Sequence, residues 1–552
     1  MRHGGKILSD HLDQLGVRRV FSVPGESFLA ALDGLYDSEI DNVVSRHEGA
    51  AAMMAEAYGK MTGEPGVCFV TRGPGACNAS AGVHIAQQDS TPMVLFVGQI
   101  DNSHTDRETF QEVDYRAMFG GLAKWVAQVD QIERLPEYIA RAFHIAKSGR
   151  PGPVVLALPE NMLSGMADVP DFVGRIDATP KLSTQSFEPI VHKLRTAKKP
   201  MIIIGGPHWS GAASAALMNV AAKLNIPIAA GFRRQDYLDN RIAQYAGDLN
   251  VGINPRLAKR VKEADCLLII GSRFGDIETQ GYTLVDPMAP EKVIMHCHAH
   301  EEELGRVYQP DVALNCDARA AVHGLDELLA GEENWTAHTS WCTDVRQDYE
   351  EWIKPQASPG ALQQEFVIKW LSDNLPQNAI LTNGAGNYAA WLHRYFVYKQ
   401  YGTQLAPTSG SMGYGLPAAI SASLEHPERT VVCLAGDGCF QMTCNELSTA
   451  AQHGATPIVI VMDNGRYGTI RMHQEKTYPG RVSGTALTNP DFAALAASYG
   501  GFGAHVTTND QFSDAFEAAK ASGTFAVIAC KVDEEALATG ATLSDVRAAA
   551  TP

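Results

Sequence analysis

The sequence predicts an α/β protein made of three doubly wound parallel-sheet domains, on three observations. The chain has 552 residues, more than one hydrophobic core organises, and 45% of them are hydrophobic, so several domains each have apolar material to bury. Short β-branched runs alternate with longer segments of helical period, the pattern of parallel strands joined by crossover helices. That rhythm starts afresh three times along the chain.

In the first stretch RRVFSVPG, NVVSRHE, GVCFVTRGPG, MVLFVGQ and VVLALPE read as strands, separated by helical segments such as AAMMAEAYGKMTG, and they define an N-terminal domain over 1–165. PMIIIGG, CLLIIGSRFGD and KVIMHCHAH define a central Rossmann-like domain over 190–330. NAILTNGAG, TVVCLAGDG, PIVIVMDNG and AVIACKVD define a C-terminal domain over 361–535. The boundaries fall where apolar periodicity lapses, in a Pro- and Asp-containing stretch near 165–190 and a polar segment over 331–361. The first and third domains could be distant versions of one fold. The Ala-rich tail, 536–552, either frays or folds over a site as a lid.

A formal charge of −17, from 45 Lys and Arg against 62 Asp and Glu, opposes binding to nucleic acid or an anionic membrane and leaves small molecules and protein partners. The 10 cysteines lack CxxC pairing and lie mostly in apolar runs, which predicts buried thiols in a reducing compartment. No segment approaches the roughly 18 uninterrupted apolar residues of a membrane span, and MRHGGKILSDHL has no apolar stretch before a cleavage site, so a cytoplasmic location is expected.

The strongest chemical signal is VVCLAGDGCFQMTCNEL followed by PIVIVMDNGRYGTI. Asp437 sits just beyond one buried strand and Asn464 just beyond the next, so the two strand ends can face each other. Loops at the carboxyl ends of parallel strands are where such folds bind ligands. Gly436 and Gly438 let the backbone approach a phosphate, Asp437 supplies a hard oxygen for magnesium, and Asn464 adds a neutral carbonyl oxygen. A tight turn is the plain alternative for GDG alone. A dinucleotide fingerprint is disfavoured, because no GxGxxG follows the first strand of any domain.

With these residues the chain resembles the thiamine diphosphate enzymes of the acetolactate synthase-like family, whose motif begins GDG and ends in an Asn pair. The resemblance extends over nearly the whole chain and implies pyrimidine-binding, central and diphosphate-binding domains in that order. It implies that Asp437, Asn464 and the backbone carbonyl of Arg466 hold Mg2+. Asp463 stands where the family has the first Asn, which leaves the ligand position itself intact.

The family generates its reactive carbanion with a glutamate that protonates the cofactor's pyrimidine ring. RHEGAAAMMA resembles that site, which makes Glu48, read as the end of a strand before a small-residue helix, the candidate catalytic residue. His47 is expected to be structural. The family builds each site across a dimer interface, so Glu48 is expected to act on thiamine diphosphate held by the partner chain, in a homodimer at least and a homotetramer by resemblance.

Further contacts follow from the same resemblance. TRGPGACNASAG places Gly73, Gly75 and Asn78 near the pyrimidine or the reacting carbon, and PGES brings Pro24 to the pocket. SGSMGYG resembles the loop that bends the cofactor, with Met412 as wedge and the Gly410 carbonyl as acceptor for its amine. NGAGNYAAW opens a helix whose N–H groups favour an anion, so Asn387 and Tyr388 join Cys439, Tyr467, Gly468 and Thr469 as cofactor contacts. Phe110, Gln111 and Met472 are the substrate candidates.

The family's acetolactate synthases bind a flavin in the central domain, and acyl-CoA lyases of the same superfamily a nucleotide. GSRFGD and Asp317 are kept here, but His298 and His300 stand where two Asp residues are usual, so FAD or ADP stays open. Histidines 296, 298 and 300 alternate, as they would for a metal or for plain packing, and Arg233 and Arg234 suit an anion or a salt bridge. The activity implied is decarboxylation of a 2-oxo acid and carboligation, with cleavage of a 2-hydroxyacyl-CoA or hydroxyketone, or a non-catalytic thiamine-fold protein, as alternatives.

Overall fold

In the computed structural model, residues 1–171 and 182–550 are described, so part of the expected first linker and the last two residues lie outside the described residues. Three parallel sheets of six strands each form the framework. The first contains β1 (Arg19–Ser22), β2 (Asp41–Val44), β3 (Gly66–Val70), β4 (Met93–Gln99), β5 (Trp125–Gln128) and β6 (Pro153–Pro159), in the order β2-β1-β3-β4-β6-β5. Two of its helices matter below, α1 (Glu48–Thr62) and α2 (Pro74–Asp89).

The second sheet contains β7 (Pro200–Ile204), β8 (Ile228–Ala230), β9 (Tyr245–Asp248), β10 (Cys266–Ile270), β11 (Val293–His298) and β12 (Val312–Asn315), with α3 (Gly211–Leu224) following β7. Its order, β9-β8-β7-β10-β11-β12, is that of a Rossmann sheet, with the switch in winding between β7 and β10. The third contains β13 (Ile380–Asn383), β14 (Gln404–Leu405), β15 (Val431–Gly436), β16 (Ile458–Asp463), β17 (Phe502–Val506) and β18 (Ala526–Lys531). Around it lie α4 (Tyr388–Tyr395), α5 (Gly415–Glu425), α6 (Gly468–Thr477) and α7 (Leu543–Ala550). The third order, β14-β13-β15-β16-β18-β17, repeats that of the first sheet strand for strand, which makes the first and third units copies of one topology.

The sequence makes these strands because helices cover both faces of a parallel sheet, so every strand position can be apolar. β7 reads PMIII and β10 CLLII, and all ten residues are buried. Cutting Ile202, in the middle of β7, back to Ala would cost about 2–5 kcal/mol through the cavity left behind. α1 has the opposite need: a Cβ on Gly82 of α2 would stand 2.4 Å from Ala52 Cβ, so only small residues let these two helices meet.

The three units lock together around buried polar groups. Tyr414 donates to Glu56 Oε2 at 2.6 Å, Lys60 lies 3.2 Å from Glu56 Oε1 and pairs with Asp89, and the Thr408 N–H donates to Asp89 Oδ1 at 2.7 Å. Arg234 reaches the Asp89 carbonyl from the second unit at 3.4 Å. Burial pushes the Glu56 carboxyl up against the pull of Lys60, while Lys60 and Arg234 hold Asp89 low despite its burial. All ten cysteines are free thiols, eight of them buried. Among the described residues no helix is long and apolar enough to cross a membrane.

Candidate active site

β15 ends at Gly436 and β16 at Asp463, and the strands pair in register with Gly436 opposite Met462. This parallel pairing carries Asp437 and Asn464 to neighbouring strand ends. Asp437 Oδ1 accepts from the Gly438 N–H at 2.9 Å, and its Oδ2 accepts from the Gly465 N–H at 2.8 Å and from Asn489 Nδ2 at 2.7 Å. Asn489 Nδ2 also reaches Asp463 Oδ1 at 2.7 Å, so one amide bridges two carboxylates. Burial pushes the Asp437 carboxyl up, Asp463 adds to this, and the donors from Asn489, Gly438 and Gly465 oppose it. A desolvated carboxylate beside a second carboxylate and the amide of Asn464 is a set of hard oxygens that a divalent cation fits.

The carboxylate opens onto a cavity of about 240 Å³. Asn387, Tyr388, Gly410, Met412, Gly436, Gly438 and Cys439 line it together with Asp437. Asn464, Arg466, Tyr467, Gly468 and Thr469 complete the predicted part of its wall. Glycine is required at 438, where a Cβ would stand 2.6 Å from the Tyr467 ring, and at 436, where it would stand 2.9 Å from the Tyr388 ring. Tyr388 accepts from the Gly384 N–H at 3.1 Å and donates to Cys439 Sγ at 3.3 Å; the same sulfur accepts from the Gly413 N–H at 3.2 Å. This pins the turn carrying Gly410 and Met412, which follows the two-residue strand β14.

Asn387 organises the far wall. Its Oδ1 accepts from Thr469 Oγ1 at 2.8 Å, and its Nδ2 donates to the Leu537 carbonyl at 2.6 Å and lies 3.6 Å from Met472 Sδ. Met472 therefore touches the wall without lining the cavity. The tail resolves its two alternatives by folding over the site: Ala536 and Leu537 line the cavity, and Arg547 of α7 pairs with Glu475 of α6 at 2.8 Å.

Glu48 is placed one step later than the sequence suggests. β2 stops at Val44, and Glu48 is the first residue of α1 because His47 caps the helix, its Nδ1 accepting from the Gly49 N–H at 3.0 Å. The Glu48 carboxylate accepts from Asn78 Nδ2 at 2.9 Å and lies beside Gly75, where a Cβ would be 3.4 Å from Oε1. Gly73, at φ +60, donates to the Tyr115 hydroxyl at 2.8 Å and faces Gln111, whose own φ is +64. Pro24 lies just beyond β1, and Phe110 is 71% exposed. These seven predicted residues all belong to the first unit, and none of them lines the cavity, whose wall begins at Gln364.

The sequence reading passed over Gln364, Met462, Ile470, Val532 and Asn489. Asn489 carries no local signal, since it reaches Asp437 from a loop 52 residues away. In the second unit, His296 Nε2 bonds the Ser272 carbonyl at 2.9 Å, while His298 Nδ1 accepts from the His300 N–H at 3.1 Å, beyond the strand's end. The rings of His296 and His298 thus serve strand and turn, and among the described residues no three His, Cys, Asp or Glu side chains gather as metal ligands. Arg233 and Arg234 are both buried.

Residues 2–118 match the thiamine pyrophosphate enzyme N-terminal TPP binding domain, 187–325 the central domain and 384–530 the C-terminal TPP binding domain. The chain is 32% identical over 505 residues to the acetolactate synthase isozyme 2 large subunit of Escherichia coli (strain K12), covering 91% of this chain and 90% of that one. It is 31% identical over 543 residues to the acetolactate synthase large subunit of Corynebacterium glutamicum, covering 94% and 84%. To the acetolactate synthase of Mycobacterium leprae it is 30% identical over 541 residues, covering 94% and 85%.

Proposed function

Because this chain belongs to the thiamine pyrophosphate enzymes, in their acetolactate synthase-like branch, we propose that it decarboxylates a 2-oxo acid and joins the acyl unit to a second carbonyl compound. The observation that carries this reading is the buried Asp437 carboxylate in the lining of the 240 Å³ cavity, together with Asn464 and glycine-built walls. Bound there, thiamine diphosphate would supply the electron sink that lets the 2-oxo acid's own carbonyl carbon act as the nucleophile once carbon dioxide leaves. The overall reaction balances without redox: the bond to the carboxyl carbon breaks, its electron pair forms the new carbon–carbon bond, and a proton ends on the acceptor oxygen.

Asp437, Asn464 and the Arg466 carbonyl would hold Mg2+, and the cation would remove the repulsion between Asp437 and Asp463. Asn387, Thr469 and the backbone at Gly438, Cys439 and Gly468 would bind the diphosphate, with Tyr388 packed against Gly436. Met412 would fix the cofactor's bend from the turn that Cys439 holds. Glu48, held by Asn78, would store and return a proton at the pyrimidine ring, with Gly73, Pro24, Phe110 and Gln111 around the reacting carbon. Since Glu48 does not line the cavity of its own chain, the partner subunit's Glu48 would complete each site, with a homodimer as the minimal unit and a homotetramer as the expected assembly. The acidic charge and the reducing-type cysteines support a cytoplasmic enzyme.

The test is to supply Mg2+ and thiamine diphosphate, offer pyruvate and longer 2-oxo acids, and record carbon dioxide together with the carbon products. Release coupled to a 2-hydroxy-2-alkyl-3-oxo acid supports the proposal. Release of no carbon dioxide from any 2-oxo acid sinks it and turns attention to 2-hydroxyacyl-CoA or hydroxyketone cleavage.

A further inference from the structure

The second sheet has the strand order that binds nucleotides at its switch point, so the carboxyl ends of β7 and β10 are where a diphosphate would sit. A crevice does open there, with a volume of about 110 Å³, less than half that of the cavity beside Asp437 at about 240 Å³. Its centre is already taken. The Glu278 carboxylate accepts from the Ser272 hydroxyl just beyond β10. Its Oε1 lies 2.1 Å from the point where a Cβ on Gly231 would stand and 3.4 Å from that on Gly205, which wedges the carboxyl against the ends of β7 and β8.

Two further features narrow the crevice around that carboxylate. The turns after β7 and β10 touch: a Cβ on Gly206 would stand 1.8 Å from the Gly271 carbonyl oxygen. The buried Trp209 precedes α3, and its Nε1 donates to the Gly205 carbonyl at 2.9 Å, so an indole lies across the glycine turn whose backbone a diphosphate would approach. Burial pushes the Glu278 carboxyl up, and the Ser272 hydroxyl and the nearby Arg273 oppose that push.

We propose that Glu278 fills the anion position of the second sheet with a carboxylate of the chain's own, so that this crevice takes neither a flavin dinucleotide nor an adenine diphosphate. The decarboxylation and carboligation proposed above involve no net redox change, so closing the crevice removes nothing that reaction needs.

The experiment uses full-length protein saturated with Mg2+ and thiamine diphosphate, which keeps the third unit's phosphate site filled. FAD and ADP are titrated and followed by flavin fluorescence and calorimetry, and inorganic phosphate is tested by its effect on the melting midpoint. Wild type is expected to release no flavin on denaturation, to show no saturable FAD or ADP binding, and to gain no midpoint from phosphate. Glu278→Ala frees the Ser272 hydroxyl and the space against Gly231 and is expected to gain a midpoint rise that grows with phosphate concentration. Glu278→Gln, which keeps the side chain's shape, is expected to behave as wild type and serves if the alanine variant does not fold. Stoichiometric FAD or ADP on wild type or on the glutamine variant overturns the proposal, as does a folded alanine variant indifferent to phosphate. Thiamine diphosphate affinity, measured in the same samples, keeps this outcome separate from the catalytic reading.

Discussion

Asn78 Nδ2 donates a 2.9 Å hydrogen bond to Glu48 Oε2, tying the first residue of α1 to α2. The bond fixes one carboxylate oxygen and leaves the other beside Gly75, on a surface that the cavity of the same chain does not reach. A carboxylate held this way can present a proton repeatedly at one position. Glu48→Gln keeps the hydrogen-bonding shape and removes the exchangeable proton. Turnover is expected to fall about 10²- to 10⁴-fold while thiamine diphosphate still binds. Steady-state rates paired with calorimetry check this, and a variant of wild-type rate would remove Glu48 from the chemistry.

Asn489 gives one amide nitrogen to both Asp437 and Asp463, each at 2.7 Å. Asn489→Ala leaves both carboxylates short of a donor while Asp437, Asn464 and the Arg466 carbonyl stay in place. By analogy with partners that orient metal ligands, Mg2+ activation is expected to weaken about 10- to 100-fold, with saturating Mg2+ recovering most of the rate. A Mg2+ titration of activity reads this directly; an unchanged half-saturation would assign Asn489 to the fold alone.

What the sequence displayed and what it hid divide along a physical line. The strands were legible because parallel strands covered on both faces are apolar throughout, as in PMIII and CLLII. Asp437 and Asn464 were legible because each follows such a strand directly. Asn489, Gln364 and Leu537 were not, because their place in the site depends on loops that return from far along the chain and carry no periodicity. Glu48 stands out only through the wording around it, and its helix start carries no signal, since a histidine N-cap is uncommon.

Glu475 anchors the tail. Hydrogen bonds from Arg547, with further donors at Gly480 and Arg471, hold its pKa down at about 2. A carboxyl lowered on folding adds stability that is present above its unfolded value near 4.3 and is lost as pH falls through about 2. The latch is therefore expected to be constant between neutral pH and about 5 and to weaken only in stronger acid. Arg547→Ala is expected to speed hydrogen exchange over 536–550 and to weaken thiamine diphosphate binding, because the Leu537 carbonyl that holds Asn387 loses its support. High salt should reproduce part of the effect, since Arg547 is 44% exposed. Unchanged exchange in the variant would mean that apolar contacts alone dock the tail.

The separation of Glu48 from the cavity of its own chain yields the sharpest test of the shared site. In a two-fold dimer, each site would take Glu48 from one subunit and Asp437 from the other. Glu48→Gln and Asp437→Ala homodimers would then each contain two defective sites. Unfolding and refolding an equal mixture makes about half the dimers mixed, and each mixed dimer has one site bearing both lesions and one bearing neither. Activity is expected to return to about a quarter of wild type, although neither parent is active. If both residues served a site within one chain, every subunit would carry a defect and mixing would restore nothing. Each parent carried alone through the same unfolding and refolding should stay inactive, which distinguishes a shared site from contamination by wild-type protein.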